Sequence, residues 1–301
     1  MSGFRNIGEY AGADEAGQVW QTGFRKAVPS AATTTNAWID YTYFAGSPPA
    51  NFYASTPLAA AVLEANRGIY VPSVAPATQH VKNLMLMSSA SSATSTTNGR
   101  QQVALCDYLL YYPFIDTDAI GEEQTLDNTV TLPRYVWQGG QVVAVAQSAA
   151  SAVGQFTFSY TNQDGVAGRV SQNNRTFIVA GGGQVVGASG AGASYNPFCY
   201  LQVGDTSVRS IESVTFTAAG GGLMCLVIVK PLLKTVVTQE CRRTVSGNLE
   251  SYGSCTEFAS IIHQAGAPQI HDGAVLGLLA AGYAGTRASS ILSGILETVW
   301  N

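Results

Sequence analysis

Gln155-Phe156-Thr157-Phe158-Ser159-Tyr160 decides how this chain folds. Its three rings fall at every second position, with amide and hydroxyl side chains between them. A period of two marks a strand with one buried face and one wet face. The six residues therefore predict a sheet that carries an aromatic core on one side. Residues 162–165, Asn-Gln-Asp-Gly, have the composition of a hairpin-type turn.

Strand signals continue on both sides. Residues 176–180 and 184–187 flank Gly181-Gly182-Gly183, and residues 214–217 and 223–229 flank Gly220-Gly221-Gly222. Each unit predicts a hairpin, because glycine supplies the backbone angles that tight turns need. Lys230-Pro231 is expected to end the second. Upstream, residues 103–115 (VALCDYLLYYPFI) are apolar almost throughout. They predict a strand buried on both faces, with a bend at Pro113. Residues 81–87 predict another strand, and 38–44 are rich in strand formers. The best helix candidate is Leu58 to Ala65, with Pro57 before it and Asn66-Arg67-Gly68 after it. Residues 88–99 (SSASSATSTTNG) have nothing to bury and predict a solvent loop. Leu278, Leu279, Tyr283, Ile291, Ile295 and Val299 partly fit helical spacing, but four glycines interrupt them. Helix and extended contact segment stay equally open there.

The expected fold is mainly β: a β-sandwich or jelly-roll-like core over residues 37–238. Residues 1–36 form an N-terminal arm with spaced rings, Phe4, Tyr10, Trp20 and Phe24. Residues 239–301 form a Gly/Ala-rich C-terminal segment that packs on the core or on a neighbouring subunit.

Composition limits the function. Only 11% of the 301 residues are Asp, Glu, Lys or Arg, against roughly 25% in ordinary soluble domains. A neutral polar surface is cheaper to desolvate than a charged one, which suits a protein packed against other subunits. The formal net charge of −4 and scattered basic residues argue against nucleic acid. Arg242-Arg243 is the densest basic spot and reads as a solvated turn. No apolar run reaches the ~20 residues of a spanning helix, and the N-terminus lacks a signal-peptide core.

No constellation of residues declares a chemistry. Five cysteines (106, 199, 225, 241 and 255) without CxxC spacing argue against a zinc site or a disulfide framework. Cys225 reads as a small buried hydrophobe, and Cys241 and Cys255 as free thiols. His80, His263 and His271 are the only histidines. The context of Cys255 is not a nucleophile elbow, so a Cys255–His271 pair has little behind it. Asp116 to Asp127 partly matches a calcium loop, but Ile120 and Glu123 break the pattern. A charged connection between strands is the plainer reading. The glycine-rich stretch 187–192 lacks the context of a nucleotide loop. No catalytic, cofactor-binding or metal-binding residue is assigned, and no cofactor is expected.

Trp38-Ile39-Asp40-Tyr41 after a Gly/Ala/Thr-rich start, and Ala218 to Pro231 late in the β region, give the chain a recognisable style. It resembles tailed-bacteriophage virion structural proteins, most of all a capsid decoration (cement) or head-associated protein. The resemblance implies a non-enzymatic role, a homotrimer seated on the major capsid protein, and a virion assembled in the bacterial host cytoplasm. It carries no site residue. A phage tail, fibre or minor head component is the alternative. So is a carbohydrate-binding β-sandwich that uses the same aromatics as stacking platforms.

Overall fold

Residues 155–162 form a strand whose burial alternates at every position, with Phe156, Phe158 and Tyr160 inward. The computed structural model describes residues 4, 6–27, 37–89, 101–186, 196–237, 243–245, 248–250, 257–260, 268–282 and 291–301. The described chain opens with helix α1 (Ile7–Glu15) and strand β1 (Val19–Ala27). Then come β2 (Trp38–Asp40), β3 (Gly46–Ser47), β4 (Gln79–Ser89) and β5 (Gln101–Asp116). The middle holds β6 (Glu123–Thr125), β7 (Gln141–Ala146), β8 (Gln155–Asn162), β9 (Arg169–Val170) and β10 (Asn174–Arg175). Two long strands follow, β11 (Val208–Ala218) and β12 (Leu223–Val237). The last are β13 (Arg243–Val245), β14 (Asn248–Glu250), β15 (Glu257–Ser260), β16 (Gln269–Ile270), β17 (Leu276–Gly282) and β18 (Ile291–Trp300). The fold is mainly β, with a β-sandwich core. No described helix is long and apolar enough to cross a membrane.

A central sheet, β2-β17-β5-β12-β7, organises the molecule. Its strands β5 and β12 are 16 and 15 residues long and pair antiparallel along nearly their whole length. A strand rises about 3.4 Å per residue, so this ladder is long enough to back two further sheets side by side. One is β10-β8-β11-β6, with β9 on β8; the other is β15-β4-β18-β1-β3, with β16 on β4. Phe156, Phe158, Tyr160 and Phe216 of the first pack on Leu110, Tyr112, Leu226 and Ile228. Phe24, Leu84, Leu86 and Leu292 of the second pack on Val103, Leu105, Leu233 and Leu276. Burying each such Phe or Leu contributes about 1.5–3 kcal/mol. The opposite face of the central sheet carries Cys106, Tyr108, Tyr111, Val227 and Val229, covered by Tyr53, Leu63, Val185 and Phe198. That is why residues 103–115 are apolar throughout.

Bulges keep the two cores on one face. Tyr108 pairs with Val229 and Leu110 with Ile228, so Leu109 is an extra residue. Leu232 is extra in the same way, between the Pro231–Cys106 and Leu233–Leu105 pairs. Each bulge shifts the alternation by one, and between them Asp107 faces the same side as Leu105 and Leu110. Pro113 and Phe114 together oppose Cys225, with Phe114 at φ 59°, which makes the expected bend a bulge.

Several expectations are corrected. Residues 58–64 are not helical, and Ala65–Arg67 form only a single 3-10 turn. Leu58 takes φ 59°, and Ala61 exchanges two 2.9 Å backbone hydrogen bonds with Tyr111. Helix propensity amounts to tenths of a kcal/mol per residue, and pairing with β5 overrides it. Neither triple glycine closes a hairpin. Val179 bridges to Ala150, whereas Gln184 and Val185 bridge to Ile39 and Val145. Strands β11 and β12, on either side of Gly220-Gly221-Gly222, belong to different sheets. Nor does Lys230-Pro231 end β12, which runs through the proline at the bulge. Among the described residues, the open question at the C-terminus resolves to strands: β17 lies between β2 and β5 in one sheet, and β18 between β4 and β1 in another. Within the stretch expected to be an arm, β1 pairs with β18 from Val19–Val299 to Ala27–Ile291. Most of the Ser/Thr tract, the 187–192 stretch, Arg242, Cys241, Cys255 and His263 lie outside the described residues.

Candidate functional site

A polar seam runs between the two cores, on the face of the central sheet where Asp107 and Lys230 pair. The Asp107 carboxylate is fully buried. Arg134 grips it with two hydrogen bonds, Nε to Oδ2 at 2.8 Å and Nη2 to Oδ1 at 2.6 Å. The Val275 N–H donates to Oδ1 at 3.0 Å. Burial pushes the Asp107 carboxyl up, and Arg134 and Val275 oppose that shift. Tyr135 follows Arg134 and packs edge-on against His271, with ring centroids 4.5 Å apart. The Lys230 ammonium lies 5.4 Å from the centre of the Tyr135 ring.

A second buried carboxylate, Asp40, accepts from the Tyr108 hydroxyl (2.8 Å), the Thr42 hydroxyl (2.7 Å), the Thr42 N–H (2.9 Å) and the Tyr53 hydroxyl. Burial pushes its carboxyl up, and these bonds only partly oppose that shift. Its cluster ties β2 to the loop residue Tyr53 and to β5, and is fully satisfied.

Lys230 also lines a surface groove of about 490 Å³ next to Trp137. The local sequence builds the groove. The Gln138 and Gly139 N–H groups both donate to the Tyr135 carbonyl, at 2.9 and 2.7 Å, which closes a turn and leaves Trp137 at its tip, 80% exposed. Gly139 has φ 65° and sits where a Cβ would meet the Val208 carbonyl oxygen at 2.5 Å, so only glycine fits. Arg209 clamps two loops: its Nη2 donates to the carbonyls of Trp137 (3.2 Å) and Gln163, and its guanidinium lies 5.4 Å from the indole centre. The Gln163 Oε1 accepts from the Thr206 and Ser207 N–H groups (3.0 and 3.3 Å), and Gln141 Nε2 donates to the Thr206 carbonyl.

None of Asp40, Asp107, Arg134 or Trp137 was singled out by sequence reasoning as a site residue. A signal was present for the two acids. Each is the lone charge in a run of strand formers, and a buried charge demands partners.

The sequence candidates lie elsewhere. His80 is buried in β4, its ring 5.6 Å from that of Phe4. Cys106, Cys199 and Cys225 are buried free thiols. Burial pushes all three up, Cys199 to about 12, so they stay protonated and unreactive. In the acidic loop, Asp116 accepts from the Asp118 N–H, Asp118 from the Gly221 N–H and Asp127 from the Thr129 N–H, each at 2.8 Å. Among the described residues, no three His, Cys, Asp or Glu side chains converge on a metal-sized site. The loop works as a connection from β5 to β6.

No family model matches the chain, and no curated protein does. Among solved structures it is similar to the infectious bursal disease virus VP2 subviral particle, at 8% identity and TM-score 0.19, over 94% of this chain and 80% of that one. It is similar to the structure of the infectious bursal disease virus Gx strain at 8% identity and TM-score 0.19, over 94% and 81%. Likenesses at these scores carry no argument. What the fold and site define is a β-sandwich protein with a buried polar seam and a tryptophan-edged groove.

Proposed function

We propose that this chain is a non-enzymatic virion structural protein that stabilises a phage capsid. It bridges capsomers through neutral polar and aromatic surface, as a trimer seated on major capsid protein, in a virion assembled in the bacterial host cytoplasm. The supporting observation is a group of exposed rings on a surface with few charges. Trp20 is 40% exposed, Phe52 58% and Tyr70 61%. The Trp20 and Tyr70 rings meet at 6.1 Å, and Arg67 donates to the Ala50 carbonyl at 2.7 Å, tying the loop that carries Phe52 to the segment that carries Tyr70. Three half-exposed rings offer on the order of 300 Å² a side, a good part of the ~800 Å² per partner in a standard interface.

Light scattering tests this reading. The wild-type chain is expected to self-associate, and the Trp20→Ser/Phe52→Ser/Tyr70→Ser variant to remain folded and dissociate. Self-association that the triple variant leaves untouched refutes this surface as the contact.

A further inference from the structure

We propose that the groove beside Trp137 binds an acidic oligosaccharide, with the sugar ring on the indole face and its carboxylate on Lys230. This inference goes beyond the virion reading and does not depend on it. Four observations on the groove support it.

The first is size: about 490 Å³ lies inside the ~300–1,000 Å³ range of small-ligand sites. The second is the platform. An indole at 80% exposure, carried by a closed turn beside Arg209, presents an apolar face, as stacking on a sugar requires. The third is the lining. Trp137 and Pro231 are its large apolar side chains, and the rest is Gln, Asp, Thr, Ser, Lys and glycine backbone. The walls are cross-tied through Gln163, Gln141 and Arg209, so ordering them on binding costs little. The Gln138 amide and Thr206 hydroxyl make no side-chain hydrogen bond among the described residues, and line the groove as available donors and acceptors.

The fourth is charge. Lys230 is half-buried at the groove wall, and among the described residues no carboxylate lies within 4.0 Å of its ammonium. Its contact is the Tyr135 ring. Burial alone pushes its pKa down. A ligand carboxylate would complete it with a charge-assisted hydrogen bond. Asp164 also lines the groove, exposed and held by Gln163 Nε2 at 3.0 Å. It disfavours anions there and leaves the Lys230 end as the anionic subsite.

The test is binding of the full chain to sialyllactose and trigalacturonate. Lactose and methyl-esterified trigalacturonate are the neutral counterparts, and titration calorimetry is the readout. At least one acidic probe is expected to bind more tightly than its neutral counterpart. Trp137→Ala is expected to weaken both by at least about tenfold. Lys230→Gln is expected to abolish the preference for the acidic form while keeping the weaker neutral binding. An unchanged thermal melt shows that each variant folds. The proposal is overturned if no acidic probe binds, if acidic and neutral forms bind alike, or if both variants bind as wild type does.

Discussion

Replacing Arg134 by Met tests the seam between the two cores. Asp107 has no exposed side-chain surface, and Arg134 supplies two of the three hydrogen bonds to its carboxylate as well as the opposing charge. Removing one partner of a buried pair strands the other, at a cost of about 3–5 kcal/mol. Asp107→Leu strands the guanidinium, which is 10% exposed, and should cost somewhat less. The double variant, Asp107→Leu with Arg134→Met, fills the seam with apolar atoms and should cost less than either single change, because two desolvated charges leave together. Urea denaturation of the four proteins closes the cycle. The pH dependence has a definite sign. Without Arg134, burial raises the Asp107 carboxyl further in the folded state. The variant therefore loses stability as pH rises above the unfolded carboxylate value of about 3.9, and its deficit at pH 7 exceeds that at pH 4. Additive single costs, or an Arg134→Met loss below about 1 kcal/mol, would refute this account of the seam.

Two further outcomes are expected. At Gly277 a Cβ would meet Thr42 Cγ2 at 2.3 Å and the Tyr108 ring at 2.6 Å, and both residues are fixed by their bonds to Asp40. Gly277→Ala should therefore cost about 1–3 kcal/mol by overpacking, read as a lower urea midpoint; an unchanged midpoint contradicts it. Asp205 bonds to Arg169 Nε at 2.9 Å, to the Tyr160 hydroxyl at 2.7 Å and to Asn162 Nδ2 at 2.8 Å. Led by Arg169, these hold its carboxyl down at about 2. A depressed carboxyl stabilises above its unfolded value and loses that contribution as pH falls toward 2. Asp205→Asn should flatten the acid limb of the stability curve, and an acid limb as steep as wild type's counts against the network.

Local pattern made the strands legible. Phe156, Phe158 and Tyr160 announce their buried face by period, and residues 103–115 announce two buried faces by having no polar side, apart from Asp107. Connectivity was not legible. Both triple glycines look like hairpins because a turn between sheets needs the same backbone freedom as a turn within one. Residues 58–65 look helical because alanine propensity is visible in sequence and a bridge to Tyr111 is not. The seam escaped because Arg134 lies 27 positions from Asp107, and only the bulges at Leu109 and Leu232 bring that face together. Trp137 gave no sign because a lone tryptophan in a loop has the same letters whether it is buried or exposed.

Quantitative mass spectrometry of purified virions from the source of this chain tests the structural role most directly. Many copies per particle, in fixed ratio to the major capsid protein, are expected. Particles that carry none of the chain, with the protein found as a free monomer in the host, would contradict it.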